Sequence, residues 1–301
     1  MLCLLVLLCS ADGTRPPVGD SVALSKLDPA GNLQLAVDDD RRSLWVRSEV
    51  VLRDGVLEML LCRTKTKEHE SILATPVAAQ TLQAGLIAAG LKPGTPAQFE
   101  PDYRPPTGQT LAITLHWTSG KGPHQGRSQD WVRHAINRWH AAPLPESIAA
   151  TLPLEEIDDL RYFKFDKVLL HHGSMTEAAL AKYQTLSDDP AFQTALKTLH
   201  AAGRSRPMDA DWIFAGSEWR EFDGVREFAA ESGNYVCVAN FSDAIVDIDQ
   251  RSSNENGALQ YEPWTERVPP VGTAVWVEFA AAKPTDGAVQ QSADRPNLPE
   301  E

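Results

Sequence analysis

Cysteine is scarce in this chain of 301 residues, which contains four cysteines. Cys3 and Cys9 lie in or beside an N-terminal apolar run, so a chain that loses this run keeps only Cys62 and Cys237. Two cysteines are too few for an iron–sulfur cluster or a cysteine-rich zinc site. Both lie in apolar, strand-like segments, where they can form a disulfide or remain buried thiols, and the sequence leaves both alternatives open.

Positive charge is also in short supply. The chain has 28 Lys and Arg residues against 41 Asp and Glu residues, which gives a formal net charge of −13. A protein that binds nucleic acid concentrates cations along one surface. We therefore expect no nucleic-acid partner and interpret the acidic balance as a source of solubility.

No complete catalytic motif is present. His69-Glu70 begins a zinc-protease motif, but the second histidine that this motif needs four residues later is replaced by Leu73. The chain has no Gly-x-Ser-x-Gly sequence, so His171-His172 has no esterase nucleophile to accompany it. The sequence thus predicts no catalytic residue, no cofactor and no bound metal, and it favours a protein that is not an enzyme.

Long hydrophobic runs are absent, and the N-terminal run Leu2–Leu8 is too short to span a bilayer. The run is followed by small residues up to Ala11, which is typical of a secretory signal peptide covering residues 1–11, although no Lys or Arg precedes it. A lipid anchor on Cys9 is less favoured because Leu8 is large. We expect an exported, periplasmic or extracellular protein with no transmembrane span once the signal is removed.

The remaining pattern predicts one globular domain over residues 18–283 and a disordered tail over residues 284–301, which is poor in apolar side chains. Strand-like segments occupy the first and last parts of the domain, and a helix-rich insertion covers about residues 137–205. The fold class predicted from this order is α+β: a mixed, mainly antiparallel sheet with packed helices and a helical insertion between two β-rich halves.

Local signals predict individual elements. Asp54-Gly55 lies between apolar segments and predicts that Ser43–Leu52 and Val56–Arg63 pair as an antiparallel hairpin. Thr75-Pro76 predicts the start of a helix that ends at Gly90.

Three later serine, threonine or aspartate residues also predict helix starts. Ser128 precedes a predicted helix that carries Trp131, Ala135 and Trp139 on one face. Ser174-Met175-Thr176-Glu177 matches a capping box ahead of Leu180 and Tyr183, and Asp188-Asp189-Pro190 precedes a helix with an apolar face.

The most polar stretch follows the apolar strand Leu57–Cys62. It contains the candidate binding residues Lys65, Lys67, Glu68, His69 and Glu70. They form either a solvated turn with local ion pairs or a corner that binds an anion or carboxylate through the two lysines and His69. A metal site that uses His69 with partners from elsewhere is a further alternative.

Asn240 and Asp243 are candidate binding residues in the second half. They belong to the polar segment Asn240-Phe241-Ser242-Asp243, which follows a strand and is predicted to face the Lys65–Glu70 corner. A cleft shared by these two segments would turn the polar stretch into a binding site.

Several motifs together resemble the YdjY-domain family of exported bacterial proteins, which is largely uncharacterised. They are Thr66-Lys67-Glu68-His69-Glu70-Ser71, Gly90-Leu91-Lys92-Pro93-Gly94, Pro105-Pro106-Thr107-Gly108, Phe214-Ala215-Gly216-Ser217 and Pro269-Pro270-Val271-Gly272. The resemblance covers about residues 45–280. It implies an exported protein, and a ferredoxin-like label attached to the family implies iron–sulfur ligation. It implies no catalytic residues.

The function favoured by these observations is that of a non-catalytic extracytoplasmic binding or accessory protein. Its partner is expected to be a small anion or another protein. The alternative is a metal-dependent redox protein or enzyme that uses His69 and Glu70, with His171 or His172 as a further ligand.

Overall fold

The computed structural model describes residues 15–39, 41–154, 159–252 and 260–283. The predicted signal peptide with Cys9 and the predicted tail over residues 284–301 lie outside the described residues. None of the described helices is long and apolar enough to cross a lipid bilayer.

Strands dominate the described residues. In chain order they are β1 (Ala23–Lys26), β2 (Leu33–Asp38), β3 (Arg41–Val50), β4 (Met59–Arg63), β5 (Ser71–Thr75), β6 (Pro93–Thr95), β7 (Thr107–Ser119), β8 (Gly122–Arg127), β9 (Val132–His134), β10 (Trp139–Pro143), β11 (Leu160–Phe163), β12 (Val168–His172), β13 (Trp212–Phe214), β14 (Trp219–Phe222), β15 (Val225–Phe228), β16 (Val236–Cys237), β17 (Asp247–Ile248), β18 (Tyr261–Pro263) and β19 (Ala274–Ala281). The α-helices are α1 (Ala79–Ala88), α2 (Glu146–Ala149), α3 (Glu177–Gln184) and α4 (Pro190–Ala202).

The main sheet has the strand order β16-β4-β5-β3-β19-β7-β13-β17, with β1, β2, β6 and β8 attached to its margins. It is nearly closed into a barrel, and the described residues are 38% strand and 18% helix. The predicted α+β class with packed helices is therefore wrong, because the strands assigned to two β-rich halves belong to one sheet. Their pairing is non-local, and single segments do not reveal it.

The two ends of the main sheet approach each other. Val236 of β16 forms a parallel bridge with Val246, the residue before β17. The Cys237 amide donates to the Val246 carbonyl at 2.9 Å, and the Val246 amide donates to the Tyr235 carbonyl at 2.9 Å. These bonds remove two free sheet edges.

The segment predicted as a helical insertion contains a second small sheet. Strands β10, β12 and β11 pair antiparallel in that order. One face of this sheet packs against α3 and α4 around its own apolar core, which includes Leu169, Tyr183, Phe192 and Leu196. The insertion is thus a layer of helices on a three-stranded sheet and not a helical unit.

The predicted hairpin of Ser43–Leu52 with Val56–Arg63 is wrong. Strand β5 lies between β3 and β4, pairing antiparallel with β3 and parallel with β4. The turn at Asp54-Gly55 reverses the chain but does not join paired neighbours. The buried β5 sequence, Ser71–Thr75, supplies the apolar neighbour that both strands require.

Two of the three later helix predictions are confirmed. The cap of α3 is Thr176 and not Ser174 of the predicted capping box, and it accepts a hydrogen bond from the Ala179 amide. Asp189 caps α4 by accepting from the Ala191 and Phe192 amides. The helix predicted after Ser128 is wrong, because Ser128–Trp131 is a single 3-10 turn that leads into β9.

The predicted helix before Gly90 is α1, although its N-cap is Ala78 and not Thr75. Gly85 lets α1 lie closely on the sheet, since a Cβ atom there would lie 2.9 Å from a Leu44 methyl carbon.

Gly108 lies where β6, β7 and β13 meet. Its φ of +141° is open mainly to glycine, and a Cβ atom would lie 2.0 Å from the Phe214 carbonyl oxygen. We expect Gly108→Ala to reduce the free energy of unfolding by at least about 2 kcal/mol, because the clash is with backbone. Urea denaturation measures this loss. Gly120→Ala, which has nothing within 4 Å of the new atom, is the control; equal losses would contradict the packing argument.

Candidate functional site

The Lys65–Glu70 corner connects β4 to β5. Lys65 has a positive φ of 64° and its amide donates to the Glu68 carboxylate at 3.0 Å. Glu68–Glu70 forms a 3-10 turn, and the Ser71 hydroxyl donates back to the Lys67 carbonyl at 2.7 Å. The corner is thus an ordered turn whose side chains have fixed directions.

Lys67 is the centre of an ionic cluster. Its ammonium lies 3.4 Å from a Glu58 carboxylate oxygen and 3.1 Å from a Glu70 oxygen. The ammonium also lies 4.9 Å from the centre of the Phe241 ring, which brings the corner into contact with the predicted second segment. Two carboxylates thus flank one ammonium, and the cluster has a net negative charge.

Burial sets the protonation behaviour of this cluster. Burial, and then the neighbouring Glu70 charge, raise the pKa of Glu58 above its ordinary value. Burial alone would lower the pKa of Lys67, but its hydrogen bonds and charge attraction to Glu70 and Glu58 outweigh that effect and raise it. Lys67 therefore stays charged and serves to hold the two carboxylates.

The other candidates for metal ligation lie apart. His69 is 76% exposed, with its Nε2 atom 3.7 Å from a Glu70 oxygen. His171 is buried beside Tyr183, and His172 packs against Trp139, both in the small three-stranded sheet. Across the described ranges, no group of three His, Cys, Asp or Glu side chains is placed to hold a metal ion.

Asn240 belongs to a network with Asp247 and Tyr103, two residues that were not predicted as part of a site. Its amide group donates to Asp247 at 2.9 Å, and its carbonyl oxygen accepts from the Tyr103 hydroxyl at 3.0 Å and the Ser252 amide at 2.8 Å. The signal for Asp247 was a charged residue inside the apolar segment Ala244–Ile248. Tyr103 carried no such signal.

Asp247 is fully buried, and burial raises its pKa to about 7 against the opposing hydrogen bonds from Asn240, Ile248 and Phe241. Burial and the Asp247 charge together raise the pKa of Tyr103 to about 12. The Asp247 proton is thus held more tightly in the folded chain than in the unfolded chain.

Asp243 orders the neighbouring loop. Its carboxylate accepts from the Ser232 hydroxyl at 3.0 Å and from the Asn234 side-chain amide at 2.7 Å. Cys62 and Cys237 lie near this region as buried free thiols in one small apolar cluster with Met59, and burial raises the pKa of both.

A groove with a volume of about 810 Å³ lies beside this network. One wall is the loop from Thr95 to Thr107, and the other contains Glu218, Arg220 and Ser242. Arg220 is fixed across this wall by a hydrogen bond of 2.6 Å to the Ser242 carbonyl oxygen. The Lys65–Glu70 corner does not line the groove.

The segment Asn240–Asp243 joins these three features. Asn240 anchors Tyr103, which belongs to the loop that forms one groove wall; Phe241 contacts Lys67 of the corner; and Ser242 lines the groove. The predicted contact between the two polar segments is therefore present, but the open space lies on the Ser242 side.

The site and the fold define a barrel-like β domain that carries a loop-lined groove. Residues 35–139 match the family model described as YdjY domain. The resemblance predicted from the sequence is confirmed over these residues, and the later motifs that begin at Phe214 and Pro269 lie outside the match. No curated protein and no solved structure matches the chain.

Removing the Lys67 charge tests the ionic cluster. We expect Lys67→Met to lower the free energy of unfolding by about 2 kcal/mol at pH 7, because Glu58 and Glu70 then face each other without a cation. The loss should shrink as the pH falls, since the folded variant takes up a proton on Glu58, whose pKa is raised by burial. Urea titrations at pH 5 and pH 7 measure it. His69→Ala is the control, and an equal loss in both variants would contradict the role of Lys67.

Asp247 makes stability depend on pH. Its folded pKa of about 7 exceeds the ordinary value of 3.8, so its contribution to stability is full below pH 3.8 and is lost as the pH rises through 7. Relative to Asp247→Asn, the wild type should lose on the order of 4 kcal/mol between pH 4 and pH 8. Urea titrations of both proteins across this range give the difference. The exposed Asp166→Asn is the control, and a pH-independent difference for Asp247→Asn would contradict the assignment.

Proposed function

We propose that this protein is a non-catalytic binding or accessory protein that acts outside the cytoplasm and holds its partner in the groove. The observation that carries this proposal is the 810 Å³ groove between the Thr95–Thr107 loop and the Glu218–Arg220 wall. Binding sites are commonly built from loops displayed by a rigid sheet. The loop wall leads into β7 of the main sheet, and Arg220 of the other wall lies on β14.

The groove combines charged and apolar groups. Arg104 lines it and is exposed, and no acidic side chain of the described residues pairs with its guanidinium. Pro96, Phe99 and Pro105 supply apolar surface, and Phe99 is 45% exposed. An arginine with a free planar donor set is suited to a carboxylate. The partner is therefore an extended molecule, such as a peptide, with apolar groups and a carboxylate for Arg104.

The loop that forms one wall of the groove is held in place by Tyr103 before any partner binds. Tyr103 is fixed by Asn240, and the Arg251 guanidinium lies 4.7 Å from the centre of the Tyr103 ring. Because these groups already have their contacts, little conformational entropy is lost when a partner binds. This supports binding by a largely preformed site.

Action outside the cytoplasm rests on the N-terminal sequence. The apolar run and the small residues up to Ala11 are typical of a secretory signal, and the YdjY resemblance points the same way. Cell fractionation of a tagged full-length chain tests this part separately from ligand binding. Retention of the whole chain in the cytoplasm would contradict it.

The groove is tested with a library of short peptides that differ in carboxylate content, screened by thermal shift and measured by calorimetry. We expect acidic and C-terminal-carboxylate peptides with an apolar residue to bind. Arg104→Gln should weaken binding at least about tenfold, which is about 1.4 kcal/mol, because a charge-assisted bond is lost.

Arg42→Gln is the matched control, since Arg42 is an exposed arginine on β3 that does not line the groove. A peptide whose affinity falls equally in both variants binds elsewhere, and this result would overturn the groove as the site. The absence of any binding peptide would overturn the proposal as a whole.

A further inference from the structure

A second cavity lies on the outer face of the main sheet, and its lining shares no residue with the groove. Trp45, Glu278 and His116 each follow or precede core residues of β3, β19 and β7, so their side chains project to this outer face. The outer face of such a sheet normally carries exposed polar groups. Here Trp45 is 3% exposed, and the His116 and Glu278 side chains are 10% and 12% exposed.

The residues before β1 cover this part of the sheet. Val18 and Val22 pack against the apolar cluster that contains Ala36 and Trp45, and the Val22 amide donates to the Gly19 carbonyl at 3.1 Å. The cavity between this segment and the sheet has a volume of about 190 Å³. One water molecule takes up about 30 Å³ in the liquid, so the cavity is large enough for a small organic molecule.

Glu278 fixes the polar floor of the cavity. One of its carboxylate oxygens accepts a hydrogen bond from Arg41 at 3.0 Å, and the other lies 3.0 Å from Nε2 of His116. Both oxygens are therefore occupied, and the hydrogen of a neutral His116 ring belongs on Nε2. Its Nδ1 atom then remains as an acceptor.

Asp38 adds a negative charge that no neighbour balances. It lines the cavity and lies opposite Arg41 in the β2–β3 ladder, but the Arg41 guanidinium pairs with Glu278. Asp38 is exposed, and no side chain of the described residues forms an ion pair with its carboxylate. Because the charges of Arg41 and Glu278 cancel, the cavity lining keeps one negative charge. It therefore favours a cation over an anion.

Ser43 supplies a further acceptor. It is 6% exposed and lines the cavity, and its oxygen accepts from the Trp45 indole at 2.9 Å but keeps a second lone pair. Much of the remaining lining is apolar, including Val18 and Val22. A fitting ligand thus has N–H donors at one end and an apolar body. An ammonium group has three donors and no acceptor, whereas a carboxylate would face Asp38 with acceptors alone.

We propose that this cavity, lined by Val18, Val22, Asp38, Ser43, Trp45 and His116, binds a small primary amine with an apolar body. The ammonium group pairs with Asp38 and donates to the free acceptors of Ser43 and His116. The apolar body lies against Val18 and Val22. This site is separate from the groove and does not depend on the proposed function.

Three probes of one shape test the charge preference: cyclohexylamine, cyclohexanol and cyclohexanecarboxylate. They are titrated into the full chain by calorimetry at pH 7.5 and low ionic strength, where charge attraction is least screened. We expect cyclohexylamine to bind at least about tenfold more tightly than either of the other two, which is about 1.4 kcal/mol.

Asp38→Asn removes the unbalanced charge and keeps the shape of an exposed side chain. It should weaken cyclohexylamine binding at least about tenfold, because the ion pair is lost. Asp166→Asn is the matched control, since Asp166 is an exposed aspartate that does not line the cavity. This variant should bind cyclohexylamine as the wild type does.

Ala36→Leu tests the location by filling the cavity without changing any charge. A variant that urea denaturation shows to be folded should lose cyclohexylamine binding, and Asp38→Asn decides the matter where Ala36→Leu does not fold. Four results would overturn the proposal: no binding of cyclohexylamine, tighter binding of cyclohexanecarboxylate, equal losses in Asp38→Asn and Asp166→Asn, or unchanged affinity in a folded Ala36→Leu.

Discussion

The pairing of β19 on both of its edges is the constraint on which the main sheet depends. β19 forms an antiparallel ladder with β3 on one side and with β7 on the other. It is the last described strand of the chain, whereas both of its neighbours lie within the first 119 residues. The strands on the β3 side and those on the β7 side are therefore joined by residues from the far end of the sequence. The YdjY match over residues 35–139 therefore includes β3 and β7 but not β19, the strand that lies between them in the sheet.

Polar contacts between buried and partly buried side chains fix the segments beside the groove. Lys67 is placed between Glu58 and Glu70, and Asn240 is placed between Asp247 and Tyr103. In both cases one group contacts two partners that are buried or partly buried, and these contacts offset part of the cost of their burial. Because Phe241 contacts Lys67, these two clusters are neighbours, and the loop that carries them has few alternative conformations.

Local chemistry made some elements predictable. The capping box Ser174–Glu177 and Asp189 predicted helix starts because side chains there can satisfy free amides of the first turn, and this requires no knowledge of the fold. Gly90 marks a helix end because its φ of 84° is open mainly to glycine. The hairpin predicted from Asp54-Gly55 was wrong because β5, which follows both strands in the sequence, lies between β3 and β4 in the sheet. The helix expected after Ser128 failed because Trp131 and Val132 are buried in the main core, and tertiary packing overrode the local pattern.

The site was predictable only in part for the same reason. The corner and the Asn240–Asp243 segment were recognisable as polar stretches after strands, and the Lys67–Phe241 contact joins them. The groove walls come from residues 95–107 and from residues 218–242, and only the barrel brings them together. The two free thiols have a consequence of a different kind. Cys62 and Cys237 are inaccessible in the closed molecule, so a thiol reagent reaches them only during transient openings of the sheet near its β16 edge. The rate at which such a reagent modifies these two cysteines therefore measures local unfolding without an introduced label.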